Sequence, residues 1–186
     1  GDTNGLWDST STNWTGSIWN NATPDNAIFD GSGVGTVTLN EAITVGNITF
    51  SAAGYTIAGG GNDLTISASS TITANNDATI SAALTGTGPL IKSGAGTLTL
   101  SGGGDWTGLT TVTAGTLDIT AGVGGRKFSL DSGASLQLGA SRTNAWGTDY
   151  GVTIHGNGVA DVSGLYLKGG TSHRMAGSGG VNFQTA

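Results

Sequence analysis

Apolar and polar residues alternate along this chain in short bursts. Val34–Leu39 (VGTVTL) and Ile43–Phe50 (ITVGNITF) are followed by Tyr55–Ile57, Leu64–Ile66, Thr71–Thr73 and Ala78–Leu84. Apolar residues take every second position: Val37 and Leu39, Ile43 and Val45, Ile48 and Phe50, Leu64 and Ile66. A period of two puts successive side chains on opposite faces of a strand. The outward set is largely Thr, Ser and Asn. No helical i, i+3, i+4, i+7 stripe of useful length exists, so the pattern predicts an all-β chain.

The densest stretch is Leu90–Thr120, LIKSGAGTLTLSGGGDWTGLTTVTAGTLDIT. It holds three alternating runs, Thr97–Leu100, Leu109–Val112 and Thr116–Ile119. Glycine-rich breaks at Gly94–Gly96, Gly102–Gly104 and Ala114-Gly115 separate them, and glycine tolerates the positive φ that tight turns need. A circuit of strands and turns thus takes about 20 residues, the length of one coil of a β-solenoid. The alternative is an antiparallel sandwich, whose strands pair through hairpins. Runs this short and closely spaced fit a parallel β-helix, where each strand pairs with the coils before and after. Phe128–Leu130, Ser135–Leu138, Val152–Ile154, Val159–Val162 and Leu165–Leu167 continue the theme.

Two stretches break the pattern. Residues 1–30 are aromatic-rich, with Trp7, Trp14, Trp19 and Phe29 and no clean alternation. A solenoid end exposes strand edges and an open core, so this segment is expected to cap the solenoid or to dock into a neighbouring copy. Residues 31–186 form the solenoid. Within it, Ser141–Gly151 reads as a projecting loop that carries Trp146 and Tyr150. Aromatic faces stack on sugars, so these two residues are the candidates for glycan contact.

Composition narrows the function. Charged residues are 10% of the chain and the formal net charge is −6. Glycine is abundant without a Gly-X-Y period, which excludes collagen. Arg126-Lys127 is the one basic pair, so no nucleic-acid footprint exists. No run is apolar enough to span a membrane as a helix. There is no cysteine, hence no disulfide or thiolate metal site. That absence, with scarce Lys and Glu, points to an exported bacterial protein.

Candidate chemistry is sparse. The acids are scattered, mostly at turns (Asp30, Asp63, Asp77, Asp105, Asp131), where Asp commonly bonds nearby backbone. Gly59–Leu64 is a partial match to the calcium nonapeptide but lacks its fourth-position glycine and any tandem. His155 and His173 are the only histidines, and no Gly-x-Ser-x-Gly nucleophile motif occurs. Asn13, Asn21 and Asn47 head formal glycosylation sequons. No enzyme, metal or cofactor is expected; a polysaccharide lyase is the least favoured alternative.

The central stretch resembles the autotransporter-associated β-strand repeat. Leu90, Lys92, Gly94, Gly96, Thr97, Leu98, Leu100, Ser101, Gly102, Gly108, Thr110, Val112, Ala114, Gly115, Thr116 and Leu117 fit its pattern. Asp105-Trp106 departs from the usual Asn-Thr-Tyr but keeps an aromatic residue. The resemblance implies a right-handed parallel β-helix, secreted or displayed at the bacterial cell surface, with no family-wide catalytic residues. Too few residues follow the solenoid for an eight-stranded membrane barrel, so either a passenger segment or a stand-alone protein is expected. The favoured function is an extracellular structural subunit that stacks head to tail into a homopolymeric filament, docked through Trp7, Trp14, Trp19 and Phe29. The alternative is an adhesin segment that binds glycans through Trp146 and Tyr150.

Overall fold

The computed structural model describes residues 5–14, 16–31, 33–121, 127–131 and 134–139, and the strands at 153–156, 165–168 and 183–185. These residues form a parallel β-solenoid without a helix. The first sheet stacks eight strands in chain order: β1 (Leu6–Trp7), β3 (Thr36–Leu39), β6 (Tyr55–Ala58), β9 (Ala78–Ile80), β12 (Thr97–Leu100), β14 (Thr116–Ile119), β16 (Ser135–Gly139) and β18 (Leu165–Lys168). The second holds β4 (Ile43–Val45), β7 (Asp63–Ile66) and β10 (Ala83–Thr85). The third stacks β2 (Ala27–Phe29), β5 (Ile48–Phe50), β8 (Ser70–Ala74), β11 (Leu90–Ser93), β13 (Thr110–Val112), β15 (Lys127–Leu130), β17 (Thr153–Gly156) and β19 (Phe183–Thr185). Every strand pairing is parallel.

The two-residue period produces this stack directly. Inward positions fall in register to make apolar columns, such as Val37, Ile57, Ile80, Leu100 and Ile119 in the first sheet. Ile43, Leu64 and Leu84 do the same in the second. Each fully buried Ile or Leu contributes about 1.5–3 kcal/mol. The outward positions also stack. Thr36, Thr56, Thr79 and Thr99 form one column, and the hydroxyls of Thr65 and Thr85, 20 residues apart, meet at 2.9 Å.

Two runs that read as single stretches in the sequence are each cut by a corner. Ile43–Phe50 becomes β4 and β5, turning at Gly46-Asn47, and Ala78–Leu84 becomes β9 and β10. In the central stretch Thr97–Leu100 and Thr110–Val112 lie on different faces, while Thr116–Ile119 returns to the face of Thr97–Leu100 and opens the next coil. Trp106 bridges Gly86 and continues the second face beyond β10. Its indole is buried and its Nε1 donates to Thr110 Oγ1 at 2.9 Å.

Corners require glycine for lack of room. A Cβ on Gly108 would strike the carbonyl of Gly88 in the preceding coil, and one on Gly104 the backbone of Leu84.

Candidate functional site

The N-terminal segment builds the most elaborate local arrangement. Trp7, Trp19 and Phe29 are buried in this chain's own core, with Trp14 packed against them. The ring centroids of Trp7 lie 4.8 Å from those of both Trp14 and Trp19, and Phe29 stacks on Phe50 at 5.1 Å. Large aromatic rings fill a wide volume with few residues, and here they fill the start of the apolar columns. Both ends of the segment enter the sheets, since β1 pairs with β3 and β2 with β5.

Side chains between these strands terminate hydrogen-bond ladders. In a parallel pair, alternate residues direct their N–H and C=O away from the partner strand. On β1 the outward carbonyl of Leu6 accepts from Asn13 Nδ2 at 2.8 Å. On β4 the outward N–H of Thr44 donates to Asn21 Oδ1 at 2.8 Å, and its carbonyl accepts from Trp19 Nε1 at 3.1 Å. Thus Asn13, Asn21 and Trp19 stand where a preceding strand would lie. Asn47 plays a related part at a corner: its Oδ1 accepts from Thr71 N at 2.8 Å. All three sequon asparagines therefore spend their amides on backbone.

The acids likewise hold backbone. Asp8 Oδ1 accepts from Ser11 N at 2.7 Å and Thr10 N at 3.1 Å. The Ser11 amide, aided by Thr10, holds the Asp8 carboxyl at about 2, against the desolvation that would raise it. Glu41 Oε1 accepts from Ser9 N at 2.8 Å, and Asp77 Oδ1 accepts from Thr97 N at 2.7 Å, one coil on. Gly59–Asn62 is a turn: Asn62 N donates to Gly59 O and Asn62 Nδ2 to Leu39 O. Among the described residues, no three His, Cys, Asp or Glu side chains come together as a metal-binding group. No helix among them is long and apolar enough to cross a membrane.

Lys92 is the residue the alternation hides. It points inward on β11, in a column with Ile48, Ile72 and Val112, and is fully buried. Its ammonium donates to the carbonyls of Gly94 and Gly96, both at 2.7 Å, and of Ala114 at 2.9 Å. Three donors meet three acceptors, which ties one corner to the next coil. Burial pushes its pKa down to about 8, and the negative charge of Asp77 opposes that shift. A cation held this way is a structural tie, with no N–H left for a substrate.

Trp146 and Tyr150, with the Ser141–Gly151 loop and His173, lie outside the described residues. His155 is on β17.

Residues 90–119 match the family described as the passenger-associated-transport-repeat. The adhesin BmaC autotransporter of Brucella suis biovar 1 (strain 1330) is 37% identical over 175 residues, a match covering 85% of this chain. The chain spans about 5% of the length of this curated relative. No solved structure matches. The repeat at β11–β14 and this likeness together identify the chain as an autotransporter-associated repeat protein.

Proposed function

We propose that this chain is a rigid, non-enzymatic stalk segment of an autotransporter-type passenger, displayed outside the cell, that spaces and presents adhesive surfaces. The carrying observation is the parallel ladder in register from β1 to β18, with the passenger repeat inside it. The relative's printed description as an adhesin supports the adhesive setting. The non-enzymatic reading is supported by how the chemical side chains are spent: Asp8, Glu41 and Asp77 on amides, Lys92 on carbonyls. An antibody against the solenoid should label intact producing cells, and external protease should remove the label. Labelling only after permeabilisation would overturn the surface reading. If glycan contact lies at Trp146 and Tyr150, Trp146→Ala should lose binding on a glycan array; unchanged binding removes that assignment.

Head-to-tail assembly into filaments is a second reading, supported by the all-parallel pairing, since a parallel sheet can be extended by a further strand. The tryptophans are engaged in this chain's own core, so assembly would run through backbone edges. Electron microscopy over a range of concentrations tests it: fibres support it and single short rods contradict it.

A further inference from the structure

One turn of chain closes the outer edge of the second sheet. β4 pairs with β7, and Ser67 N donates to Val45 O, so Ile43 and Val45 direct their peptide groups into the sheet. Ala42, Thr44 and Gly46 therefore direct theirs the other way. Four successive groups on that outer side are all taken. Ala42 O accepts from Asn21 Nδ2 at 3.3 Å, and Thr44 N donates to Asn21 Oδ1 at 2.8 Å. Thr44 O accepts from Trp19 Nε1 at 3.1 Å, and Gly46 N donates to Asp25 O at 2.8 Å. All but the last of these partners are side chains.

The turn that supplies them is closed on itself. Asn20 Oδ1 accepts from Ala22 N at 2.9 Å and Thr23 N at 3.1 Å, and Asp25 Oδ2 accepts from Asn20 N at 3.0 Å. Pro24 has no N–H to give. Trp19 anchors the turn in the core. A Cβ on Gly46 would strike Asn26 Oδ1 and crowd the carbonyls of Pro24 and Asp25, so the turn lies directly against the end of β4. A strand in this place would satisfy the same four groups and present a fresh row of its own on the far side. This turn satisfies them and spends its own amides internally, so the ladder stops.

We infer that residues 19–25 are an intramolecular lock on the second sheet: they hold the β4 edge shut, and a further strand can be added there only when the turn is released. This goes beyond the stalk reading and holds whatever chain precedes the turn. It also narrows the head-to-tail reading, because no second copy extends this sheet at β4 while the lock is in place. A free edge is a template for unwanted pairing, and a solenoid of parallel strands is exposed to that hazard at any sheet it leaves open.

The test uses the full chain and compares the wild type with Asn21→Ala/Trp19→Phe, which removes every side-chain bond of the lock and keeps an aromatic ring in the core. Two controls accompany it. Gly61→Ala strains a corner with open space around it and leaves this edge covered. Thr44→Lys, added to the double variant, puts a charge on the opened edge, a common protection of free strands. Sedimentation velocity over rising concentration, with thioflavin T fluorescence, reads association. The double variant should associate at about tenfold lower concentration than the wild type. Gly61→Ala should match the wild type, and Thr44→Lys should restore wild-type behaviour. If the double variant does not fold, Asn21→Ala alone carries the comparison. Association no stronger than that of the wild type overturns the lock, while the behaviour of the wild type itself decides the head-to-tail reading separately. Equal association of Gly61→Ala assigns the effect to lost stability and also overturns the lock. Failure of Thr44→Lys to protect overturns β4 as the edge that opens.

Discussion

Lys92 shows how one residue can hold a corner. Its ammonium sits in an apolar column and satisfies three turn carbonyls from two successive coils. Lys92→Met keeps the bulk and orphans those carbonyls while relieving the cost of burying a charge. The carbonyls outweigh that relief, so the variant should be less stable by about 1–2 kcal/mol at pH 7. The pH dependence separates the two effects. The folded pKa, about 8, is below the ordinary 10.5, so the unfolded chain binds more protons between those values. Stability of the wild type should therefore rise across that window and be flat just below it. Lys92→Met lacks this rise, so its deficit should widen from pH 8 to 10.5 in parallel denaturant titrations. A deficit that narrows would contradict the assignment. The same lysine explains why β11 escaped the alternation: Leu90-Ile91-Lys92-Ser93 places a charge where the period demands an apolar residue. The sequence still marked Lys92 through its fit to the repeat pattern, but the pattern carries no hint that the ammonium points inward.

At the scale of elements, strand positions and the glycine-marked corners of the central stretch were legible, while the corners inside Ile43–Phe50 and Ala78–Leu84 were not. Thr97–Leu100 and Thr116–Ile119 coincide with β12 and β14, because their inward residues Leu98, Leu100, Leu117 and Ile119 are all aliphatic. Ile43–Phe50 reads as one stretch because only Gly46-Asn47 separates its two alternating halves, although the period shifts by one residue there. That turn is held by long-range bonds, Gly46 N to Asp25 O and Asn47 N to Asn26 Oδ1, which no local signal reveals. Glycines test the corner logic in two ways. Gly61 has φ +93 with open space around it, whereas Gly108 lacks a positive φ but abuts the Gly88 carbonyl. Gly61→Ala should cost about 1–2 kcal/mol from its backbone conformation alone. Gly108→Ala must displace a neighbouring coil and should cost more than about 3 kcal/mol. Thermal melts of the two variants check the order; equal losses would mean that coils can slide apart at the corner.

For the whole molecule, the aromatic N-terminal segment was recognisable as a departure from the repeat, and its tryptophans were the evident candidates. What the sequence could not convey was that the segment contributes strands to two sheets and side-chain caps to two edges. Asn13 and Asn21 read as sequons, and their use as strand substitutes depends on contacts with residues brought close only by coiling. Deleting residues 1–30 would thus strip β1, β2 and part of the core together, and so could not isolate a docking role.

The central claim is a stiff solenoid in which each coil adds one strand spacing, about 4.8 Å. Thr36, Thr56, Thr79, Thr99, Asp118 and Gln137 are successive register partners in the first sheet. The chain has no cysteine, so spin labels can be placed at Thr36→Cys and Gln137→Cys without background. Pulsed electron–electron resonance should give one narrow distance near 24 Å, about five strand spacings. A broad distribution, or a separation that does not scale when the second label is moved to Asp118→Cys, would contradict a continuous stack of coils.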